Sequence, residues 1–358
     1  MNRRNFLSIG AMAGVASMMP VRGVPVAHEA LQPTLKEVPS QGDGDQRLSL
    51  KQLQAFEELG YGMFIHFGMS TFDGVELSMG DKPSTYYAPT SLDTDQWMRT
   101  AKDAGMKYAV LTTKHVAGHC LWHSKYTDYH VGTSGDKTDV VDAFVKSCNK
   151  YGIMPGFYYC SWDNHHIMGS GTPSHVGWNN MFTSEEYRQF QWDQLSELLN
   201  QFGKIGIIWI DIPGILPRDY REKLYNQMAI WQPDSVIVTN HGIGDGSVFN
   251  IDYAWPSDVI PIERFLPNSH TGHVKWRNIE GKNYYMPGDV CDPIGKEWFF
   301  KEGDLPRSDQ ELLGMYLVSR TRGANVLLNV PPDKTGKIPQ MYVDSLMRLR
   351  KNIDSVWQ

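Results

Sequence analysis

Cysteine is scarce in this sequence. Only Cys120, Cys148, Cys160 and Cys291 occur in 358 residues, with no Cys-x-x-Cys spacing, which argues against a zinc ribbon or a dithiol redox centre. Four unpaired core thiols are expected instead. Positive charge is also short: 34 Lys plus Arg stand against 40 Asp plus Glu, a net charge of −6, and form no long run. Electrostatic capture of nucleic acid is therefore a poor explanation of this chain. No apolar run reaches the roughly 20 residues needed to span a bilayer, so no stable membrane span is expected. Internal repeats and low-complexity tracts are absent too. What is abundant is flat: 11 Trp, 17 Tyr and 14 Phe, many beside Asp and His. Aromatic faces next to hydrogen-bonding groups suit sugar rings, whose C–H faces are apolar and whose hydroxyls need partners.

The first 30 residues read as an export signal. Arg3 and Arg4 precede Phe6 and Leu7 and a weakly apolar, Gly-containing stretch to Met19, a twin-arginine-like leader that implies a periplasmic or extracellular mature protein. Residues 31–50 are polar and Gly-containing and read as a linker, leaving 51–358 as one catalytic domain.

Within that domain short apolar runs alternate with amphipathic segments, which predicts β/α units with a parallel sheet and outer helices. Strands are expected at 61–67, 108–113, 154–160, 205–211, 236–240 and 325–330. Helices are expected at 94–104, 140–151, 184–202, 218–231, 308–320 and 340–353. Every early strand ends in a polar cluster: His66, then Lys114 and His115, then 161–166, then Asp211, then Asn240 and His241. In a (β/α)8 TIM-like barrel such ends converge on the catalytic face, whereas an open sheet gathers ligands at one crevice. The segment 245–303 is irregular and is expected to form active-site loops around a short strand.

Asp211 closes the apolar run Ile205 to Ile210 and therefore faces the barrel mouth. Strand alternation puts Trp209 on its face as an aromatic floor. A loop-capping Asp is the plain alternative. Cleaving a glycosidic bond through a covalent intermediate needs a second carboxyl roughly 5 to 5.5 Å away to protonate the leaving oxygen. Glu263 and Asp289 are the candidates, each also readable as an ordinary loop carboxylate. His115, His119 and His123 have i, i+4 spacing, but Gly118 interrupts any helix there and no carboxylate completes a ligand set, so no metal is expected.

These motifs resemble the retaining α-L-fucosidases of glycoside hydrolase family 29. The resemblance runs from Tyr61 to Ile338 through YGMFIHFG, APTSLDTDQW, AKDAGMKYAVLTTKH, CLWHSKYTDYHV, DVVDAFVKSCNKYGIMPGFYYCSWD, IIWID and RGANVLLNVPPDKTGKIP. It implies an irregular (β/α)8 barrel, Asp211 as nucleophile, and His66, His115, Tyr159 and Trp209 at sugar-contacting positions; the full C-terminal β-sandwich common in the family is expected to be missing or vestigial here. Glu263, in PIERFLP, matches the loop that holds the acid/base in several members, and Asp289 matches a nearby Glu favoured for the same role. Trp122, His241 and Trp298 complete the expected substrate-binding set. The implied activity is release of terminal fucose from glycans, with no cofactor.

Three positions depart from the family pattern. Val116 stands where a second His is usual, His241 where an Arg or Glu is expected after strand five, and Ile212 where Gly follows the nucleophile. A sugar pocket built on hydrogen bonds is sensitive to such changes. Two alternatives follow: an exo-glycosidase for a related sugar, such as an α-galactosidase, or a non-catalytic carbohydrate-binding barrel.

Overall fold

The computed structural model describes residues 42–166 and 183–356. The export segment and most of the linker lie outside them. Eight parallel strands form the main sheet: β1 (Tyr61–Ile65), β2 (Tyr108–Lys114), β3 (Met154–Cys160), β4 (Ile207–Asp211), β5 (Val236–Thr239), β6 (Ile260–Glu263), β9 (Gly288–Pro293) and β10 (Ala324–Asn329). Their order is β5-β4-β3-β2-β1-β10-β9-β6, and a parallel bridge from Val238 to Val259 links the two ends. The result is a nearly closed barrel. Between β6 and β9 an antiparallel hairpin, β7 (Trp276–Ile279) and β8 (Lys282–Tyr285), takes the place of an outer helix.

The sequence explains the frame. A sheet covered on both faces needs near-continuous apolar strands, and β1, β2 and β5 are buried along their whole length. Helices Thr94–Asp103, Val140–Tyr151, Glu185–Gln201 and Asp309–Thr321 each begin behind an Asp or Ser whose side chain accepts a first-turn N–H, which satisfies a donor the helix itself leaves unpaired. Alternation along each strand separates two cores. Met63, Leu111, Tyr159 and Ile210 pack outward under the helices. Phe64, Val110, Tyr158, Trp209 and Leu327 fill the barrel. Gly62 is required by close approach: a Cβ there would lie 2.5 Å from the Tyr108 ring, which reaches across the barrel floor to Asp289.

Two expectations need correction. The segment 245–303 holds four strands, and two of them, β6 and β9, are barrel staves. Their sequences, IPIE and GDVCDP, carry Pro, Gly and acidic residues that strands usually avoid, so local propensity conceals them. Residues 45–50 are not a free linker. Arg47 reaches Asp258 at 2.6 Å, and the Asp45 and Asn283 segments exchange hydrogen bonds of 2.7 and 2.8 Å. The folded domain therefore starts before residue 51. The four cysteines are buried and unpaired, as expected.

Candidate active site

Asp211 and Glu263 end β4 and β6 at the same mouth of the barrel. Asn240, the residue after β5, stands between them. Its Nδ2 donates to Asp211 Oδ1 and to Glu263 Oε2, both at 2.9 Å. Those two oxygens are thus no farther apart than twice 2.9 Å, which fits the roughly 5 to 5.5 Å separation of retaining glycosidases and falls short of the roughly 6.5 to 9.5 Å of inverting ones. Tyr158 donates its hydroxyl to Asp211 Oδ2 at 2.7 Å. Neither Asn240 nor Tyr158 was singled out as a site residue from sequence. The polar strand end at 240–241 pointed to the right place, but its weight fell on His241.

A break in register aims His115. Thr112 pairs with Tyr158 and Lys114 with Tyr159, so Thr113 is an extra residue in β2. Such a bulge reverses which residues face inward. Lys114 consequently points outward, 4.3 Å over the Tyr159 ring and 2.6 Å from Asp163, both ends of the pair fully buried. His115 turns into the barrel mouth and stacks on Tyr158, with ring centroids 5.6 Å apart and planes at 19°. Its buried Nδ1 has no hydrogen-bond partner among the described residues.

His66 continues β1 inward. Asn329 donates its amide to the Trp298 carbonyl, which orients Asn329 Oδ1 toward His66 Nδ1 at 2.8 Å. His66 therefore carries its proton on Nδ1 and keeps Nε2 as an acceptor. The Trp298 ring lies 4.9 Å from that of His66 and carries the Arg264 guanidinium 4.7 Å from its centroid. Trp209 lies one layer beneath Asp211, packed on Phe64 at 5.2 Å.

Four expected site residues are elsewhere. Asp289 pairs in register with Pro261, two residues below Glu263, which at roughly 3.3 Å per residue puts it a full layer deeper. It is 1% exposed and receives the Tyr108 hydroxyl at the barrel floor, so it cannot reach a leaving group at the mouth. Tyr159 faces outward because β3 alternates: Tyr158 is in register with inward Trp209, and the Tyr159 hydroxyl goes to Gln194 at 2.8 Å. Trp122 is buried in the outer core and donates to Glu197 at 2.7 Å. His241 commits Nε2 to the Pro261 carbonyl at 2.9 Å and packs on Phe249, which holds it against β6. His119 and His123 are likewise engaged, with Ser134 at 2.8 Å and the Lys137 carbonyl at 2.9 Å, so the spaced histidines do not converge.

Burial and charge separate the two carboxyls. Glu263 is pushed up to about 7, first by desolvation and then by the Asp211 charge, against the opposing pull of Asn240 and Arg264. Asp211 is raised by desolvation but held back by hydrogen bonds from Tyr158, Asn240 and the Ile212 N–H. Hydrogen bonds to Asp211 favour its charged form while the Asp211 charge favours a proton on Glu263, the kind of asymmetry that divides a pair into nucleophile and acid. His115 is driven down to about 3 by burial and is neutral.

A family model described as Alpha-L-fucosidase matches residues 81–353. Alpha-L-fucosidase 1 of Arabidopsis thaliana is 30% identical over 319 residues, covering 82% of this chain and 58% of the plant protein. Plasma alpha-L-fucosidase of Homo sapiens is 24% identical over 346 residues, covering 84% of this chain and 68% of the human protein. Among solved structures, alpha-L-fucosidase isoenzyme 1 from Paenibacillus thiaminolyticus superposes with a TM-score of 0.72 at 26% identity, covering 86% of this chain and 76% of that one. The chain spans little more than half the length of the plant relatives it matches.

Proposed function

Because the chain belongs to the alpha-L-fucosidase family, we propose that it is a retaining exo-glycosidase releasing terminal α-L-fucose from a glycan. The observation that carries the mechanism is the Asp211–Asn240–Glu263 bridge. Asp211 attacks the anomeric carbon as the glycosidic C–O bond breaks, and the Glu263 proton passes to the departing oxygen. The Glu263 carboxylate then takes a proton from water, whose oxygen attacks the same carbon and frees Asp211. The inward His66, His115 and Trp298 line the mouth that receives the sugar, and because His66 Nδ1 is committed to Asn329, its Nε2 is left to meet a hydroxyl.

A panel of 4-nitrophenyl glycosides tests the sugar, and an NMR time course tests retention. Turnover of the α-L-fucoside with the α-anomer formed first is expected. Inversion, or full activity in Asp211→Asn, would sink the assignment.

A related sugar is the second reading, favoured by the pocket itself. Val116 is buried and offers only its backbone carbonyl, to Asn164, while His241 is tied to Pro261. Preference for an α-galactoside in the same panel would establish it. Export supplies the expected setting: the Arg3-Arg4 leader supports a periplasmic or extracellular enzyme, and fractionation of expressing cells checks it.

A further inference from the structure

We propose that Asn240 is the positioning residue of the catalytic pair, an amide that fixes the spacing of Asp211 and Glu263 and solvates each carboxylate in the step where it carries the charge. The inference rests on the glycosidase reading above and goes beyond it.

Asn240 is held at its backbone N–H and at both polar atoms of its side chain. Its backbone N–H donates to the Ile210 carbonyl at 2.9 Å, anchoring it to the strand that ends in Asp211. Its Oδ1 accepts the Gly242 N–H at 3.0 Å. Only an oxygen can accept there, so Nδ2 must face the carboxylates. The Gly242 backbone has φ 91°, in the left-handed region that glycine adopts without steric cost. Both Nδ2 hydrogens are then used, one on each carboxylate.

The chemistry gives this geometry a purpose. When the glycosyl ester forms, Asp211 loses its charge and Glu263, having given up its proton, gains one. Negative charge passes from one carboxylate to the other across a donor already aimed at both, so no group has to reorient during the step. Other groups face the same space. Glu263 meets Asp211 from β4, Glu76 from the loop after β1, Arg264 from its own strand end, Tyr253 from the one-turn helix Ile251–Ala254 and Cys291 from β9. Asp211 and Glu76 disfavour its ionised form; Arg264 and Asn240 favour it.

The test compares the full chain with Asn240→Ala and Gly242→Ala. For Asn240→Ala on 4-nitrophenyl α-L-fucoside we expect kcat to fall about tenfold or more and both limbs of the pH–rate profile to move up by roughly 0.5–1 pH unit, because each carboxylate loses a hydrogen bond to its charged form. Gly242→Ala should move the limbs the same way by less. A carbon-13 titration of the Glu263 carboxyl, assigned by its absence in Glu263→Gln, reads the same upward shift without turnover. Unmoved limbs and an unmoved titration in a folded Asn240→Ala would overturn the proposal, whether or not activity fell. Absence of wild-type turnover on every glycoside, with the titration still shifted, would instead count against the glycosidase reading alone.

Discussion

Ile212 and Arg264 directly follow Asp211 and Glu263, the two proposed catalytic carboxylates, and each has left-handed backbone, φ 48° and 61°. A side chain in that region costs roughly 1–2 kcal/mol, and a β-branched one is an outlier. Strain is thus stored beside both Asp211 and Glu263, where it turns the chain away from the strand and leaves the carboxylate at its tip. Arg264 is also braced by Asp292 at 3.3 Å and the Lys296 carbonyl at 3.0 Å.

For Ile212 this predicts an inverted mutational response. Replacing a half-buried Ile by Gly ordinarily lowers stability, but Ile212→Gly relieves the steric cost, and its melting temperature should match or exceed that of the parent. Turnover should persist, since the N–H that Asp211 accepts belongs to the backbone. A loss of several degrees in a calorimetric scan would show that the side chain's packing outweighs the strain.

If Glu263 is the acid, it should set the alkaline limb of activity. The acid must be protonated, and its carboxyl lies at about 7, so kcat/KM should decline as pH rises through about 7. Glu263→Ala should remove that limb, cripple hydrolysis of a natural glycoside and largely spare glycosylation by an activated aryl fucoside, whose phenol leaves without a proton. Azide should then rescue deglycosylation. Azide rescue in Asp289→Ala instead would contradict the placement of Asp289 at the barrel floor.

Asp289 carries a different pH signature. Burial pushes its carboxyl up to about 8, from 3.8 for the ordinary group, and Tyr108 offsets this only in part. Between about pH 4 and 8 the folded protein keeps a proton that the unfolded chain has released, so the contribution of this group to stability is lost as pH rises through that window. Asp289→Asn keeps the neutral shape, and it should raise the melting temperature at pH 8 while changing it little at pH 4. Equal shifts at both values would show that the carboxyl is not the source.

Tyr158 and Tyr159 offer a paired comparison. Tyr158→Phe removes a donor from the nucleophile and should lower kcat about tenfold or more and shift the acidic limb upward. Tyr159→Phe removes only the bond to Gln194 and should cost about 1 kcal/mol of stability with activity kept. Reversal of the two phenotypes in kinetics and thermal melts would place the wrong tyrosine in the barrel.

The sequence by itself determined the alternation of strand and helix, the barrel class, the place of Asp211 at a strand end and the family, because apolar periodicity, capping residues and contiguous motifs are local properties. His66 and His115 were legible as strand-end positions for the same reason, and Trp209 as the residue below Asp211 on the same strand face. The tertiary structure decided which neighbour faces inward. Tyr158 rather than Tyr159 meets Asp211 because β3 is in register with β4, and His115 enters the mouth because Thr113 is an extra residue against β3. Asp289 fell to the floor because β9 starts level with Ile260 and so pairs Asp289 with Pro261, two pairs below the level of Glu263. The bridge at Asn240 joins the ends of three strands. Register, bulges and depth along a barrel axis are relations between strands, and no single stretch of chain encodes them.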